Sequence, residues 1–362
     1  KGLITSIYKK GPKDEPGNYR QITLLPAIGK LYTSILNAKL VNHLEKRNML
    51  DTAQNGFRMV EGRNTEDHIV SLVGLYSYAK HTKSPLYSAF IDFSKAFDSV
   101  PRKALLAALK KTGIDEKLFG AISGLYKNTT AKCIANGVKS REFRIERGVA
   151  QGCPISPTLF AVYINSLIKR INESNIGINL KDGQAPIGIL AYADDIVLLA
   201  NSNAELQKSI DITFEWCKKW GMKANIAKCG VLAISNKDVP IIRWGVNTFP
   251  NVNDYKYLGV NFEPDLKFAK HTKKIYDAAN GKLNKLKYLL SNSHLGLHIK
   301  MRLYEENIRS RMEYGSHAWG KANQVAFDAV NESMHVLSLS EPTTGGFKLL
   351  GVFFDGALSM HE

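Results

Sequence analysis

The tetrapeptide Tyr192-Ala193-Asp194-Asp195 interrupts two apolar runs, residues 187–191 and 196–200. Short apolar runs on either side of a brief polar break predict a hairpin of two buried strands. Two adjacent carboxylates at its tip repel each other, and they are costly to keep ionised unless a cation neutralises them. The motif therefore suggests a divalent metal site, although an isolated Asp-Asp pair is also compatible with an ordinary polar turn.

A third acidic residue favours the metal site. Asp92 lies near the end of the apolar run 87–93, which predicts a strand. If this strand lies beside the aspartate hairpin, Asp92, Asp194 and Asp195 form a cluster that can hold two Mg²⁺ ions about 3.5–4 Å apart. Such a pair of ions suits in-line phosphoryl or nucleotidyl transfer.

The net charge indicates the class of partner. The chain has 362 residues, and its formal charge of +16 favours a polyanion such as nucleic acid.

Four widely spaced cysteines without a Cys-x-x-Cys pair predict neither a zinc site nor a disulfide framework, so we expect an intracellular, reducing location in nucleus and cytoplasm. No apolar stretch is long enough for a membrane span. Because the chain starts at Lys1 inside a strand-like run, we expect it to be part of a longer product.

Periodicity predicts an α+β fold: a sheet with helices on one face, followed from about residue 266 by helices alone. The change in pattern near Pro264 marks the one candidate domain boundary. In the helix predicted for residues 27–47, Ile28, Leu31, Ile35 and Leu40 are spaced to share one face. Asp98 or Ser99 is available to cap the helix predicted for residues 101–111.

Seven sequence blocks resemble, in order, those of the reverse transcriptase domain of non-LTR (LINE-type) retrotransposons. The similarity extends from about residue 3 to about residue 320, and the blocks are residues 18–25, 54–58, 90–98, 148–157, 192–195, 220–228 and 257–260. The resemblance implies a right-hand polymerase with fingers, a palm with an antiparallel sheet and a helical thumb. Fingers and palm would occupy residues 1–264, with the fingers at about 1–85 and 115–150, and residues 265–362 would form the thumb and the start of a post-thumb region.

The resemblance also assigns the chemistry of the palm. Asp92, Asp194 and Asp195 match the metal-binding aspartates, which implies two Mg²⁺ ions as cofactors. Phe97 matches the bulky residue beneath the incoming sugar, where an aromatic ring clashes with a 2′-hydroxyl. RNA-copying RNA polymerases usually carry an acidic residue at that place, whereas here the acid, Asp98, follows one position later.

Further matches concern the nucleotide. Gln151 and Gly152 resemble the loop over the nascent base pair, where glycine permits close approach of the backbone. Arg20, with Lys10 or its neighbour Lys9, occupies the place of basic fingers residues that bind the triphosphate, although a solvated turn explains the lysines equally well. Lys228 matches a lysine proposed to protonate the departing pyrophosphate, with an ordinary structural or phosphate-binding lysine as the simpler alternative.

Other basic residues are expected to contact nucleic acid. Arg58 and Arg63, in a loop before a helix, look like template-backbone contacts. An amphipathic C-terminal helix with a basic face would grip a duplex without reading its sequence, through residues that include Lys270, Lys274, Lys282 and Lys285. The expected partners are an RNA template, a DNA primer or RNA/DNA duplex, and dNTP substrates, without a membrane.

This sequence departs from the family's motifs at two positions. Gln21 stands where the family usually has proline after the arginine, and Ala150 stands where a larger residue often precedes the glutamine. Neither removes a catalytic group. No endonuclease-like segment or Cys/His knuckle is present, so this chain is expected to copy strands without nicking a target. The predicted function is an RNA-dependent DNA polymerase. The alternatives are an RNA-templated RNA polymerase, which Phe97 disfavours, and a domesticated non-catalytic RNA-binding scaffold, which the three aspartates disfavour.

Overall fold

The computed structural model describes residues 2–58, 63–135, 137–180, 185–234 and 241–320. The chain divides into two compact units between Leu258 and Gly259. The strands are β1 Gly2–Tyr8, β2 Tyr19–Leu24, β3 Leu86–Ile91, β4 Thr130–Ala135, β5 Val138–Lys139, β6 Phe143–Arg144, β7 Ile189–Tyr192, β8 Asp195–Ala200, β9 Gly230–Ile234, β10 Arg243–Trp244, β11 Asn247–Thr248, β12 Tyr255–Tyr257 and β13 Val260–Phe262. The helices are α1 Ala27–Lys46, α2 Thr65–Thr82, α3 Ala96–Ser99, α4 Arg102–Lys110, α5 Glu116–Tyr126, α6 Ser156–Glu173, α7 Asn203–Trp220, α8 Ala269–Leu290, α9 Leu297–Tyr304, α10 Ser310–Glu313 and α11 Ser316–Trp319.

The central sheet of the first unit has the order β7-β8-β3-β9, and its pairs are all antiparallel. Every residue of β3 is buried. Alternate β3 residues, among them Tyr87 and Ala89, join the core that includes α6 and α7. On the other face, α2 contacts β7 and β9, and Tyr76 of α2 donates a hydrogen bond of 2.9 Å to Ser88 of β3. The prediction of helices on one face was therefore wrong, because a strand apolar on both sides needs cover on both sides.

A second sheet brings the basic N-terminal hairpin into position. β1 pairs with β2 in antiparallel register and with β4 in parallel register, and β4 also pairs with β5 and β6. The turn between β1 and β2 is closed by Tyr8, opposite Tyr19, and by a hydrogen bond of 2.9 Å from Lys9 N to Asn18 O. Lys9, which directly follows β1, and Arg20 of β2 therefore lie at the same end of this hairpin.

Helix α1 forms where it was predicted but buries another face. Its buried residues are Thr33, Leu36, Leu40 and Leu44, whereas Ile28 is 83% exposed. Leu31 and Ile35 are exposed as well, so the predicted common face of Ile28, Leu31, Ile35 and Leu40 was wrong. The helix carries two apolar stripes, and only the one spaced at intervals of four residues packs on the core.

The second unit, beginning at Gly259, is largely helical. Helix α8 packs Ala279, Leu283 and Leu290 against Ile308 and Met312. The described helices include none that is both long and apolar enough to cross a membrane.

Candidate active site

The strand register brings the predicted acidic residues together. Tyr192 pairs with Asp195, so Ala193 and Asp194 form a two-residue turn between β7 and β8. Ile91, the last residue of β3, pairs with Ile196, which places Asp92 opposite Asp195. Because opposite residues of an antiparallel pair share a face, Asp92 and Asp195 lie on the same face at this end of the sheet, and Asp194 precedes Asp195 in the adjoining turn.

The three carboxylates interact electrostatically. Burial raises the pKa of Asp195 to about 6, and the neighbouring charges of Asp194 and Asp92 add to this rise although the side chain reaches solvent. Burial is also the main cause that raises the pKa of Asp194, with a further contribution from Asp92. The pKa of Asp92 is raised by burial and opposed by Lys228 and Lys9. The protein therefore holds three acids at the cost of mutual repulsion.

The acidic cluster fits a divalent cation by the chemistry of its ligands. Among the described residues, no three His, Cys, Asp or Glu side chains already converge tightly enough to form a metal site. The three carboxylates nevertheless supply the hard oxygen ligands that Mg²⁺ prefers. A bound cation would relieve the repulsion that, together with burial, raises the pKa values of Asp194 and Asp195.

Basic side chains surround the cluster. Lys228 Nζ lies 4.0 Å from Asp92 Oδ1. Arg20 and Lys9 both act on Asp194 electrostatically, lowering its pKa against the dominant effect of burial. Of the two lysines considered from the sequence, Lys9 therefore interacts with the aspartates, whereas Lys10 is exposed and contributes to none of their shifts.

Phe97 lies in an aromatic group next to the acidic cluster. Its ring stacks on Phe160 with centroids 4.6 Å apart, and Phe57 meets it edge to face at 6.3 Å. Phe57 in turn lies 6.1 Å from the ring of Tyr192, the residue before the aspartate turn. Phe160 is buried, while Phe57 is 50% exposed, so Phe97 is supported from below and is half-buried itself.

Gln151 and Asp98 form a hydrogen-bonded pair beside Phe97. Gln151 Nε2 donates to Asp98 Oδ1 at 3.0 Å, and burial raises the pKa of Asp98 despite this bond. The prediction that Asp98 caps the following helix was wrong, because α4 begins after Pro101 without a side-chain cap.

The loop that contains Gln151 and Gly152 packs on β2: Thr23 N donates to Gln151 O at 2.8 Å. Gly152 has a φ of +99°, and a Cβ there would lie 3.1 Å from Thr23 O, so this position requires glycine.

The two arginines predicted to contact the template both donate hydrogen bonds to protein groups. Arg58 pairs with Glu45 at 2.5 Å, donates to the carbonyls of Asp51 and Gln54, and has a side chain only 6% exposed. Arg63 donates to Thr52 O and, at 3.0 Å, to Asn55 Oδ1. For Arg58 this corrects the expectation: burial and four internal hydrogen bonds favour a structural role in holding the loop at residues 51–55.

The sequence did not reveal that Gln54 contacts the aspartate turn. Its side chain is fully buried, and Oε1 accepts hydrogen bonds from Ala193 N at 2.9 Å and Gly56 N at 2.7 Å. The one sequence feature that could have drawn attention to Gln54 is its place in the block 54–58. There it stands two residues before a glycine, a residue that often marks a tight turn or a close backbone contact. Nothing in its spacing indicates that it touches the aspartate turn, which lies more than a hundred residues later in the chain.

The predicted thumb lysines lie on α8 in the second unit. Lys270, Lys274 and Lys285 are exposed and Lys282 is half-buried. The buried side of the helix carries Ala279, Leu283 and Leu290, so the helix is amphipathic with lysines away from its core.

Comparison with known proteins gives a consistent result. The family model described as reverse transcriptase (RNA-dependent DNA polymerase) matches residues 7–262. The RNA-directed DNA polymerase from mobile element jockey of Drosophila funebris is 27% identical over 329 residues, which cover 88% of this chain and 35% of that protein. The Pol polyprotein from the type-2 retrotransposable element R2DM of Drosophila melanogaster is 32% identical over 238 residues, covering 63% of this chain and 22% of that protein. The chain thus spans about a third or less of these relatives' lengths.

The structures agree at the level of the fold. The telomerase of Candida tropicalis, solved with a fragment of telomeric RNA, has a TM-score of 0.52 and 14% sequence identity, and the match covers 94% of this chain and 55% of that one. Apo telomerase of the same species gives a TM-score of 0.50, with 13% identity, over 93% of this chain and 61% of that one.

Proposed function

Because the chain belongs to the reverse transcriptase family, we propose that it is the RNA-dependent DNA polymerase of a non-LTR retrotransposon. In this role it extends a primer 3′-hydroxyl on an RNA template and takes dNTPs as substrates. The observation that carries the proposal is that Asp92, Asp194 and Asp195 lie together at one end of an antiparallel sheet. Burial raises the pKa of all three, and the charge of Asp92 adds to the rise for Asp194 and Asp195.

Reverse transcriptases use divalent metal ions, and we propose two Mg²⁺ ions held by Asp92, Asp194 and Asp195. When bound, the ions would activate the attacking hydroxyl and stabilise the leaving pyrophosphate. The protein contributes acidic ligands held at the ends of paired strands. Lys228 offsets part of their repulsion in the metal-free protein, since it lies 4.0 Å from Asp92. The same amino group is a candidate donor of a proton to pyrophosphate.

The surrounding residues orient the nucleotide. Arg20 and Lys9 bind the triphosphate, a role supported by their electrostatic interaction with Asp194 from the neighbouring hairpin. Phe97 excludes a ribonucleotide because its ring, which stacks on Phe160, would clash with a 2′-hydroxyl and cannot hydrogen-bond to it. Gly152 keeps the loop over the base pair close to β2, and Gln151 is held there by Asp98.

In family terms, residues 1–264 would form fingers and palm, and residues 265–362 the thumb and the start of a post-thumb region. The α8 lysines would bind duplex phosphates. Nuclear and cytoplasmic location is proposed from the four cysteines, all of which are free thiols. The alternative of a non-catalytic RNA-binding scaffold gains no support from the site, because a scaffold has no need for three repelling carboxylates.

Primer extension on an RNA template with Mg²⁺ and dNTPs tests the proposal. Wild-type protein should extend the primer, and Asp194→Asn should abolish extension because a metal ligand is lost. Asp211→Asn is the matched control, since it makes the same change on the exposed side of α7 and should extend normally. A wild-type protein that binds the primer–template without extending it would support the scaffold instead. Extension that survives Asp194→Asn would refute the metal-site assignment.

A further inference from the structure

A short segment of the first unit lies directly against the aspartate hairpin. Residues 53–55 run parallel to the end of β7: Asn55 N donates to Ala191 O at 3.0 Å, and Ala191 N donates to Ala53 O at 2.9 Å. Between these bonds the side chain of Gln54 reaches further along the hairpin and accepts from Ala193 N. The segment thus holds both the end of the strand and the first residue of its turn.

The bond to Ala193 meets two needs of the turn. Ala193 has a φ of +56°, a left-handed conformation that a residue with a Cβ adopts only when its surroundings impose it. The residue is also buried, so its N–H would lack a partner if the Gln54 carbonyl were absent. Because Asp194 and Asp195 follow immediately, a change in this turn changes the direction of both carboxylates.

We propose that Gln54 is a positioning residue of the active site, which fixes the aspartate turn through the two backbone hydrogen bonds of its side-chain oxygen. The inference rests on the proposed polymerase function and adds to it a residue that touches neither metal nor substrate. It also differs from simple core filling, because the side chain makes directed bonds to both sides of the contact, Gly56 N and Ala193 N.

The amide nitrogen of Gln54 suggests how to separate these roles. Among the described residues, Gln54 Nε2 has no hydrogen-bond partner, so only the oxygen is used. Glutamate in its protonated, uncharged form, which burial favours, therefore keeps the required acceptor, while leucine keeps most of the volume and removes it. A filler role predicts that leucine substitutes well; a positioning role predicts that glutamate preserves the turn and leucine does not.

Hydrogen–deuterium exchange of a peptide containing Ala193, combined with steady-state primer extension, tests the proposal. In Gln54→Leu the Ala193 amide should lose protection, and kcat should fall by about 100-fold, as expected for a misplacement of roughly 1 Å. The KM for primer–template should change little, because the substitution leaves intact the α8 lysines proposed to bind the duplex. In Gln54→Glu the protection should be retained. Gln207→Leu is the control: this glutamine also bonds to backbone, at Arg243, and its loss should alter neither readout.

Wild-type protection or wild-type kcat in folded Gln54→Leu would overturn the inference. If that variant fails to fold, Gln54→Glu decides: loss of Ala193 protection there overturns the inference, and retention supports it. Failure of the polymerase assignment is distinguishable, since an inactive wild-type protein would refute that function while the exchange measurement still reports on the hydrogen bond.

Discussion

Replacing Gly56 by alanine should damage catalysis through a backbone contact. A Cβ added at Gly56 would lie 2.2 Å from Ala193 N, 2.9 Å from the Tyr192 carbonyl carbon and 2.9 Å from Gln54 Oε1. Two of these three atoms belong to the backbone of the aspartate hairpin, which cannot rotate away as a flexible side chain would. The segment at residues 53–56 or the turn itself must move.

The size of the effect follows from the overlap. Carbon contacts are comfortable at about 3.5 Å or more, so the required movement is roughly 1 Å. Overpacking of this kind should lower the free energy of unfolding by about 1–3 kcal/mol. A shift of similar size at Asp194 and Asp195 should lower kcat by about 100-fold.

Urea denaturation and single-nucleotide primer extension measure the two effects. The matched control is Gly74→Ala in α2, where an added Cβ meets no atom within 4 Å. This variant should extend normally and gain about 0.5–1 kcal/mol in stability, because alanine is the better helix residue. Gly56→Ala with both wild-type activity and wild-type stability would refute the close-contact argument.

Three further predictions concern other parts of the site. Phe97→Val should raise the ratio of ribonucleotide to deoxyribonucleotide incorporation in single-nucleotide extension, and unchanged selectivity would contradict the steric role. Asp195→Asn should stabilise the metal-free protein above about pH 6, because the wild-type pKa is raised to about 6 and ionisation therefore costs folding free energy. This gain should disappear below about pH 4, where the carboxyl is protonated in both folded and unfolded states; an equal gain in urea denaturation at both pH values would argue against it. Lys274→Gln combined with Lys285→Gln should reduce the slope of log binding constant against log salt by about 2, as measured by fluorescence anisotropy with an RNA/DNA duplex, and an unchanged slope would exclude phosphate contacts by these lysines.

The sequence was sufficient for the elements that carry the acidic residues. The aspartate hairpin forms between the two predicted apolar runs, and the strand before Asp92 is present as β3. What periodicity alone left open was whether these segments are neighbours. Their adjacency follows from the register of β3 with β8, which the ordered sequence blocks implied and a single strand pattern does not encode.

The sequence was less informative where one residue type serves two purposes. In the sequence, Arg58 cannot be distinguished from a phosphate-binding arginine. Its ion pair with Glu45 of α1, at 2.5 Å, becomes visible only in the structure and indicates a structural role. Helix α1 shows the same difficulty for apolar residues: Ile28 and Leu36 both belong to regular stripes, but only the stripe containing Leu36 is buried. Periodicity detects a stripe and cannot decide which stripe meets the core.

In the active site, repulsion among the aspartates is opposed by contacts from a segment outside the hairpin. The aspartates are destabilised by their burial and mutual charge, as the raised pKa of Asp195 indicates. Repulsion within such a cluster favours a wider separation of the carboxylates, which the turn that carries Asp194 must resist. The side-chain oxygen of Gln54 and the absent Cβ of Gly56 supply resistance from outside the hairpin, through uncharged contacts that do not add to the electrostatic repulsion. We therefore expect activity to be more sensitive to substitutions at residues 54 and 56 than their distance along the chain from the aspartates suggests.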